Sequence, residues 1–178
     1  MRQILMLRGI NLGSKRRVPM ADLRALFTDA GYADVATYLQ SGNVALSSSA
    51  PAIEVEREGA RLISGHFGFD VPVVVRTRTQ LARVVKHDPH GSVVDNPKLY
   101  QVSFRAEKLD AATAERLLGL ATDAEHVAVQ GREVYCWHAG GVARSKLWNA
   151  LGGKGLGVTA TTRNWTTVLA LLAMSEDG

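Results

Sequence analysis

The chain is organised around one stretch near its N-terminus, which reads Leu7-Arg8-Gly9-Ile10-Asn11-Leu12-Gly13-Ser14-Lys15-Arg16-Arg17-Val18-Pro19-Met20. The continuous apolar run at residues 3–7 predicts a buried strand. After Pro19, which suits the start of a helix, apolar residues recur at helical spacing. A loop that carries two glycines and four cations therefore joins a strand to a helix.

Strand and helix patterns continue through the first half of the chain. Residues 35–40 and 43–47 predict two short strands, with Ser41-Gly42 as a tight hairpin turn between them. A second helix with an inward apolar stripe ends at Gly68, and residues 71–76 predict another strand. The order β-α-β-β-α-β is that of the ferredoxin-like, or α/β-plait, fold.

The second half repeats much of this order. Residues 99–104 predict a strand, Asp110 caps a helix, residues 126–129 and 134–137 predict a hairpin, and residues 145–151 predict a short helix. We expect a last helix from Arg163 onward, in the place of the fourth strand. The sequence thus predicts an α+β protein of two ferredoxin-like halves, with mainly antiparallel sheets and helices packed on one face. Residues 1–77 form the first half, 78–97 a connecting helix and linker, and 98–178 the second half with its extra C-terminal helix.

Composition limits the class of protein. The 178 residues are 46% hydrophobic and 21% charged, which is ordinary for a globular chain with a core. The single cysteine, Cys136, leaves no internal disulfide, and the apolar run at the N-terminus is too short for a signal peptide or a membrane span. We therefore expect a cytoplasmic protein without a membrane partner. No spacing of His and Cys indicates a metal site.

Three polar stretches are predicted to form a binding site for a small anionic or nucleotide-like ligand. Glycines let a backbone approach a ligand closely, arginines offer a planar fork to carboxylate or phosphate, and helix starts carry unpaired N–H groups. Arg163 would lie in the first turn of the last helix, capped by Thr161 or Thr162, where a cation opposes the helix dipole unless an anion answers it. The candidate residues are Arg8, Asn11, Gly13, Lys15, Gln40, Ser41, Asn43, Arg163 and Asn164.

Two other classes of function fit the same residues. The basic first loop and exposed aromatics would suit weak binding of single-stranded nucleic acid, which the net charge of +4 allows but does not favour. Alternatively, the motifs are caps and core, and the protein acts through a partner interface. No general base stands out by its spacing, so neither catalytic residues nor a cofactor is assigned, and no pattern indicates the oligomeric state.

Four stretches carry a resemblance to a known family. They are Met6-Leu7-Arg8-Gly9-Ile10-Asn11-Leu12-Gly13, Val18-Pro19-Met20, Tyr38-Leu39-Gln40-Ser41-Gly42-Asn43-Val44 and Thr161-Thr162-Arg163-Asn164-Trp165-Thr166-Thr167-Val168. In these stretches the chain resembles the domain-of-unknown-function 1697 family. The resemblance implies a small bacterial cytosolic protein of two α/β-plait-like halves, and it implies no established activity or cofactor.

Overall fold

The computed structural model of the protein describes residues 1–151 and 159–176. This part of the chain contains eight strands and six helices. In chain order they are β1 (Arg2–Leu7), α1 (Met20–Asp29), β2 (Ala33–Tyr38), β3 (Asn43–Ser47), α2 (Ala52–Phe67), β4 (Val73–Thr77), α3 (Arg78–His87), β5 (Tyr100–Arg105), α4 (Ala111–Leu118), β6 (Glu125–Gln130), β7 (Glu133–His138), α5 (Lys146–Leu151), β8 (Ala160–Asn164) and α6 (Trp165–Met174).

The first of two compact units comprises Met1–Arg83 together with the chain from Ala170 onward. Its sheet has the strand order β2-β3-β1-β4, and every neighbouring pair is antiparallel. Side chains alternate along each strand, so Leu5, Val44 and Val75, which are partners in the register, share one face. That face packs with buried residues of α1 and α2, among them Phe27 and Ile63, and forms the core of this unit.

The second unit, Val84–Leu169, has a sheet with the order β6-β7-β5-β8, again antiparallel throughout. Val134 and Cys136 of β7 pack with Leu117 of α4 and Leu147 of α5. Each sheet thus places its first and third strands in the centre and its second and fourth strands at the edges. This arrangement confirms the predicted α+β fold of two ferredoxin-like halves with helices on one face.

One predicted element of the second half is wrong. The fourth strand is present: β8 pairs with β5, and Thr162 lies opposite Ser103 in the register. The last helix begins only at Trp165, so Arg163 belongs to a strand and not to a first helical turn. The residue that caps α6 is Asn164, whose Oδ1 accepts a hydrogen bond from the Thr167 N–H at 2.9 Å, and neither Thr161 nor Thr162 has that role.

The connection between β2 and β3 is also longer than predicted. β2 ends at Tyr38, so residues 39–42 form the turn and Gln40 lies outside the strand. Leu39 and Gly42 both have a positive φ, of 57° and 76°. Within residues 1–151 and 159–176, no helix combines the length and apolar character that crossing a membrane requires.

Candidate functional site

The loop after β1, residues 8–18, is here called the basic loop. Its backbone turns repeatedly, because Gly9, Asn11, Gly13 and Arg16 all adopt positive φ values, between 54° and 71°. The Asn11 N–H donates to the Arg16 carbonyl at 3.0 Å and closes the loop on itself. The basic loop is therefore a folded structure of its own, shaped by left-handed residues that alternate with ordinary ones.

The side chain of Asn11 holds the basic loop together through three hydrogen bonds. Its Nδ2 donates to the Val18 carbonyl at 2.9 Å and to the Gln40 carbonyl at 2.8 Å, and its Oδ1 accepts from the Val18 N–H at 2.9 Å. The contact with Gln40 joins the basic loop to the turn at residues 39–42. Two of the three predicted stretches thus meet in the first unit, and the side chain of Asn11 is engaged in holding them.

Asn43 has the corresponding role on the other side of the turn. It is fully buried, and its Nδ2 donates to the Tyr38 carbonyl at 2.8 Å and to Ser41 Oγ at 3.2 Å. Gly42 follows Ser41 and accepts a hydrogen bond from the Leu7 N–H at 2.8 Å, which ties the turn to the end of β1. Asn43 and Ser41 therefore fix the shape of the turn, whereas the Gln40 side chain is exposed.

The cations of the basic loop fall into two groups. Arg16 is held in place, because its Nη2 donates to the Asp70 carbonyl at 2.6 Å and its guanidinium lies 5.6 Å from the centre of the Phe69 ring. Lys15 and Arg17 are exposed, and neither side chain makes a hydrogen bond or ion pair with the described residues. Arg8 is half-buried, and its N–H donates to the Pro72 carbonyl at 2.9 Å.

The exposed tip of the basic loop also offers backbone donors. Within the described residues, the N–H groups of Gly13 and Ser14 make no hydrogen bond. Residues 12–17 are all exposed. Gly13 has room for a close approach, since a Cβ at this position would meet nothing within 4 Å.

The remaining two predicted site residues, Arg163 and Asn164, lie in the second unit. Arg163 is buried, and its Nη1 donates to Thr161 Oγ1 at 2.8 Å and to the Thr162 carbonyl at 2.9 Å. Burial lowers the pKa of Arg163 to about 10, which leaves the guanidinium protonated at neutral pH. Its hydrogen bonds in β8, together with the capping bond of Asn164, give both residues local structural roles.

A second polar cluster, which the sequence interpretation missed, lies in the second unit. His138 Nδ1 and Glu125 Oε1 are 2.8 Å apart, and both side chains are buried. Ser145 donates its hydroxyl hydrogen bond to the same carboxylate oxygen. The other oxygen, Oε2, accepts from the N–H and the hydroxyl of Thr122, each at 3.1 Å. We refer to Glu125, His138 and Ser145 as the carboxylate cluster.

The carboxylate of this cluster is ionised at neutral pH. Burial by itself raises the pKa of Glu125, but the hydrogen bonds from Ser145, His138 and Thr122 outweigh burial and leave the pKa below its ordinary value. A metal is not indicated: among residues 1–151 and 159–176, no three or more His, Cys, Asp or Glu side chains are arranged to hold an ion.

Fold and sequence together define the class of this chain. It is an α+β protein of two ferredoxin-like halves, and it belongs to the family described as "Protein of unknown function (DUF1697)", whose sequence profile matches residues 1–135. The C-terminal stretch at residues 161–168 lies beyond that match. No protein with a curated description matches the chain significantly.

A solved structure extends the likeness over nearly the whole chain. The conserved bacterial protein SP0830 from Streptococcus pneumoniae matches with a TM-score of 0.78 and 21% sequence identity, over 98% of this chain and 98% of that one. At this level of identity the likeness establishes the shared fold alone.

Proposed function

We propose that the protein binds a small anionic ligand, such as a nucleotide or a phosphorylated metabolite, at the basic loop. The observation that carries the proposal is the tip of that loop. It presents the backbone N–H groups of Gly13 and Ser14 and the side chains of Lys15 and Arg17, none of which has a partner in the described residues.

The backbone geometry supports an anion at this place. Successive N–H groups in a loop that alternates left-handed with ordinary residues form a concavity, and such concavities bind phosphate groups in other proteins. The φ values of Asn11 and Gly13, 54° and 71°, provide this alternation. Two exposed cations also attract an anion, and at 0.1 M ionic strength salt screens this attraction at distances beyond about 10 Å.

The other predicted residues of the first unit fit a supporting role. Asn11 and Asn43 hold the loop and the turn in one arrangement, so the donors at the tip are preorganised and less conformational entropy is lost on binding. Gln40 contributes its carbonyl to this support and leaves its amide exposed beside the loop. Arg163 and Asn164 have local bonds in the second unit, and the proposal does not require them.

Thermal unfolding in the presence of inorganic phosphate, ATP, a sugar phosphate and a short oligonucleotide tests the proposal. A ligand at a hundred times its dissociation constant stabilises the folded state by about 2.7 kcal/mol. In a protein of this size that corresponds to a rise in Tm of roughly 5–11 °C. The test variant is Lys15→Ala/Arg17→Ala, which removes both exposed cations of the loop.

The matched control is Arg24→Ala/Arg57→Ala, which removes the same charge from exposed positions on α1 and α2. We expect the phosphate compounds to stabilise the wild type and the control but not the loop variant. Equal losses in both double variants would mean that net charge, and not the loop, attracts the anion. Stabilisation by the oligonucleotide alone, falling steeply with salt, would instead support binding of single-stranded nucleic acid.

We also infer a cytoplasmic location. The lone Cys136 supports it, because a single cysteine forms no intrachain disulfide. Fractionation of cells that express the native chain with a C-terminal tag tests this location.

A further inference from the structure

The carboxylate cluster borders a cleft of about 200 Å³ in the second unit. One wall is the turn that carries Thr122 and Glu125, and the other is the segment from Gly140 to Ser145. Glu125 and Ser145 are both among the residues that line this cleft. Nothing in the proposed anion site of the first unit involves these residues.

We propose that Ser145 is an activated nucleophile and that Glu125 is its general base, in a site that accepts a small ester carrying an anionic group. The geometry meets the two conditions for such a pair. The nucleophile is within hydrogen-bond reach of a base, and a third group, here His138, orients the base. The hydroxyls and imidazole that surround the carboxylate hold it in a single position.

Ser145 also caps a helix, and the two roles use different parts of the hydroxyl. The Trp148 N–H donates to Ser145 Oγ at 2.9 Å, which caps the short helix α5 and occupies an oxygen lone pair. Capping leaves the hydroxyl proton unused, and this proton is the one that Ser145 donates to Glu125. The cap does not require a buried carboxylate, and the carboxylate of Glu125 is placed to accept the serine proton.

His138 is a positioning residue. It lies opposite Glu125 in the β6–β7 register, it is fully buried, and its ring lies edge-on to that of Trp148 with the centres 5.9 Å apart. Its Nδ1 contacts the same carboxylate oxygen that accepts the Ser145 proton. The imidazole thus fixes the direction of that oxygen and, as an N–H donor, stabilises its charge.

The reaction class follows from these groups. Ser145 Oγ attacks the ester carbonyl carbon and forms a C–O bond, and its proton passes to Glu125. The bond from the carbonyl carbon to the alcohol oxygen then breaks, and Glu125 returns the proton to the departing alkoxide. Water then attacks the carbonyl carbon of the acyl-serine and gives its proton to Glu125. The bond from that carbon to Ser145 Oγ breaks, and Glu125 returns the proton to the serine oxygen. Because Glu125 is a weak base, the site favours esters with a good leaving group.

The side chain of Arg144 favours a substrate that carries a negative charge. It lines the cleft, its side chain is exposed, and it makes no hydrogen bond or ion pair within the described residues. A guanidinium at the edge of the cleft complements a carboxylate or phosphate on the substrate. The substrate class is therefore a small ester with a second, negatively charged end.

A fluorophosphonate probe tests the nucleophile directly. In the labelling reaction the serine oxygen bonds to phosphorus, fluoride leaves, and the proton passes to the base. We expect one added phosphonyl group by intact-protein mass spectrometry, located on Ser145 by peptide mapping. The matched control within the same chain is Ser64, which is half-buried and whose hydroxyl also donates to a carboxylate, Asp70 Oδ1, at 2.8 Å but borders no such cluster.

Variants of the three cluster residues show whether a loss of labelling comes from lost chemistry or from unfolding. Ser145→Asn retains a capping side chain and should fold while losing all labelling. Glu125→Gln should lower the labelling rate by about 100-fold or more, and circular dichroism checks that it remains folded. His138→Ala should slow labelling, and His138→Asn, whose amide N–H can replace Nδ1, should restore part of the rate. Absence of labelling in the wild type, equal labelling of Ser64, or an unchanged rate in a folded Glu125→Gln protein would each overturn the proposal.

Discussion

Gly42, in the turn between β2 and β3, provides the sharpest test of how the first unit is held together. Its φ is +76°, and an added Cβ would lie 2.5 Å from Ile10 Cδ1 and 2.9 Å from Leu7 Cβ. The Ile10 methyl is the end of a flexible side chain and can move. Leu7 Cβ is attached directly to the backbone of β1, and the Leu7 N–H donates to the Gly42 carbonyl. This Cβ therefore cannot move unless the strand moves with it.

The substitution Gly42→Ala therefore has two costs. A left-handed backbone conformation costs an alanine about 1–2 kcal/mol relative to glycine. Forcing an extra methyl group into a packed site typically costs about 1–3 kcal/mol more. We expect the free energy of unfolding to fall by roughly 2–5 kcal/mol in total, which is a large part of the stability of an ordinary domain.

Gly68→Ala is the matched control for the backbone cost. Gly68 follows α2 in the same unit, it has the same φ of +76°, and a Cβ there would meet nothing within 4 Å. Its substitution should cost only the backbone share, about 1–2 kcal/mol. The difference between the two variants then measures the contact of Gly42 with Ile10 and Leu7 alone.

Urea unfolding followed by circular dichroism gives both free energies. We expect Gly42→Ala to be less stable than Gly68→Ala by about 1–3 kcal/mol. If the two variants agree within about 0.5 kcal/mol, the spread of neutral surface substitutions, the turn does not pack against the basic loop and the end of β1 as described.

Three further predictions concern the second unit. Asn164→Ala should lower the free energy of unfolding by about 0.5–2 kcal/mol through loss of the α6 cap, and Asn164→Ser should restore most of it; a serine variant as unstable as the alanine variant would contradict the cap. Glu125 has a depressed pKa in the folded state, so its stabilising effect is present above its ordinary value of 4.5 and is lost as pH falls through the folded pKa. In urea unfolding at several pH values, wild type and Glu125→Gln should accordingly differ most at neutral pH and converge in acid, and a constant difference would refute the assignment. Burial raises the pKa of Cys136, so a thiol reagent should modify the protein only after denaturation, and rapid modification of the native protein would show that the β7 core is open.

The first half could be predicted from sequence because its signals are local. Apolar runs, helical spacing and a glycine such as Gly68 each specify one element or its end, without knowledge of any distant residue. The same local signals predicted five elements of the second half, which are β5, α4, β6, β7 and α5. The prediction failed at β8, where five residues rich in threonine precede a strong helical stripe that begins with Trp165. Their strand conformation depends on pairing with β5, about sixty residues earlier, and a local pattern does not contain that pairing.

Part of the carboxylate cluster, the pair of Glu125 and His138, can be predicted from the sequence. Pairing Val129 with Val134 across the β6–β7 turn fixes the register, and the same register places Glu125 opposite His138. The strands predicted from sequence begin at His126 and end at Trp137, one residue short at each end, and therefore exclude this pair. Ser145 could not have been added from sequence, because its approach to Glu125 depends on how the chain after β7 folds back.

The residues that carry the family resemblance fall into two groups, according to whether their hydrogen bonds support the fold. The side chains of Asn11, Asn43 and Asn164 bond to backbone groups a few residues away or in the adjoining turn, and each fixes a loop, a turn or a helix start. Such bonds stabilise the fold of this chain whatever ligand it binds. Gly13 differs, since its N–H makes no hydrogen bond in the described part of the chain and lies at the exposed tip of the basic loop. The length of the shared motifs therefore supports a shared fold, and evidence for a shared ligand must come from the exposed tip of the basic loop.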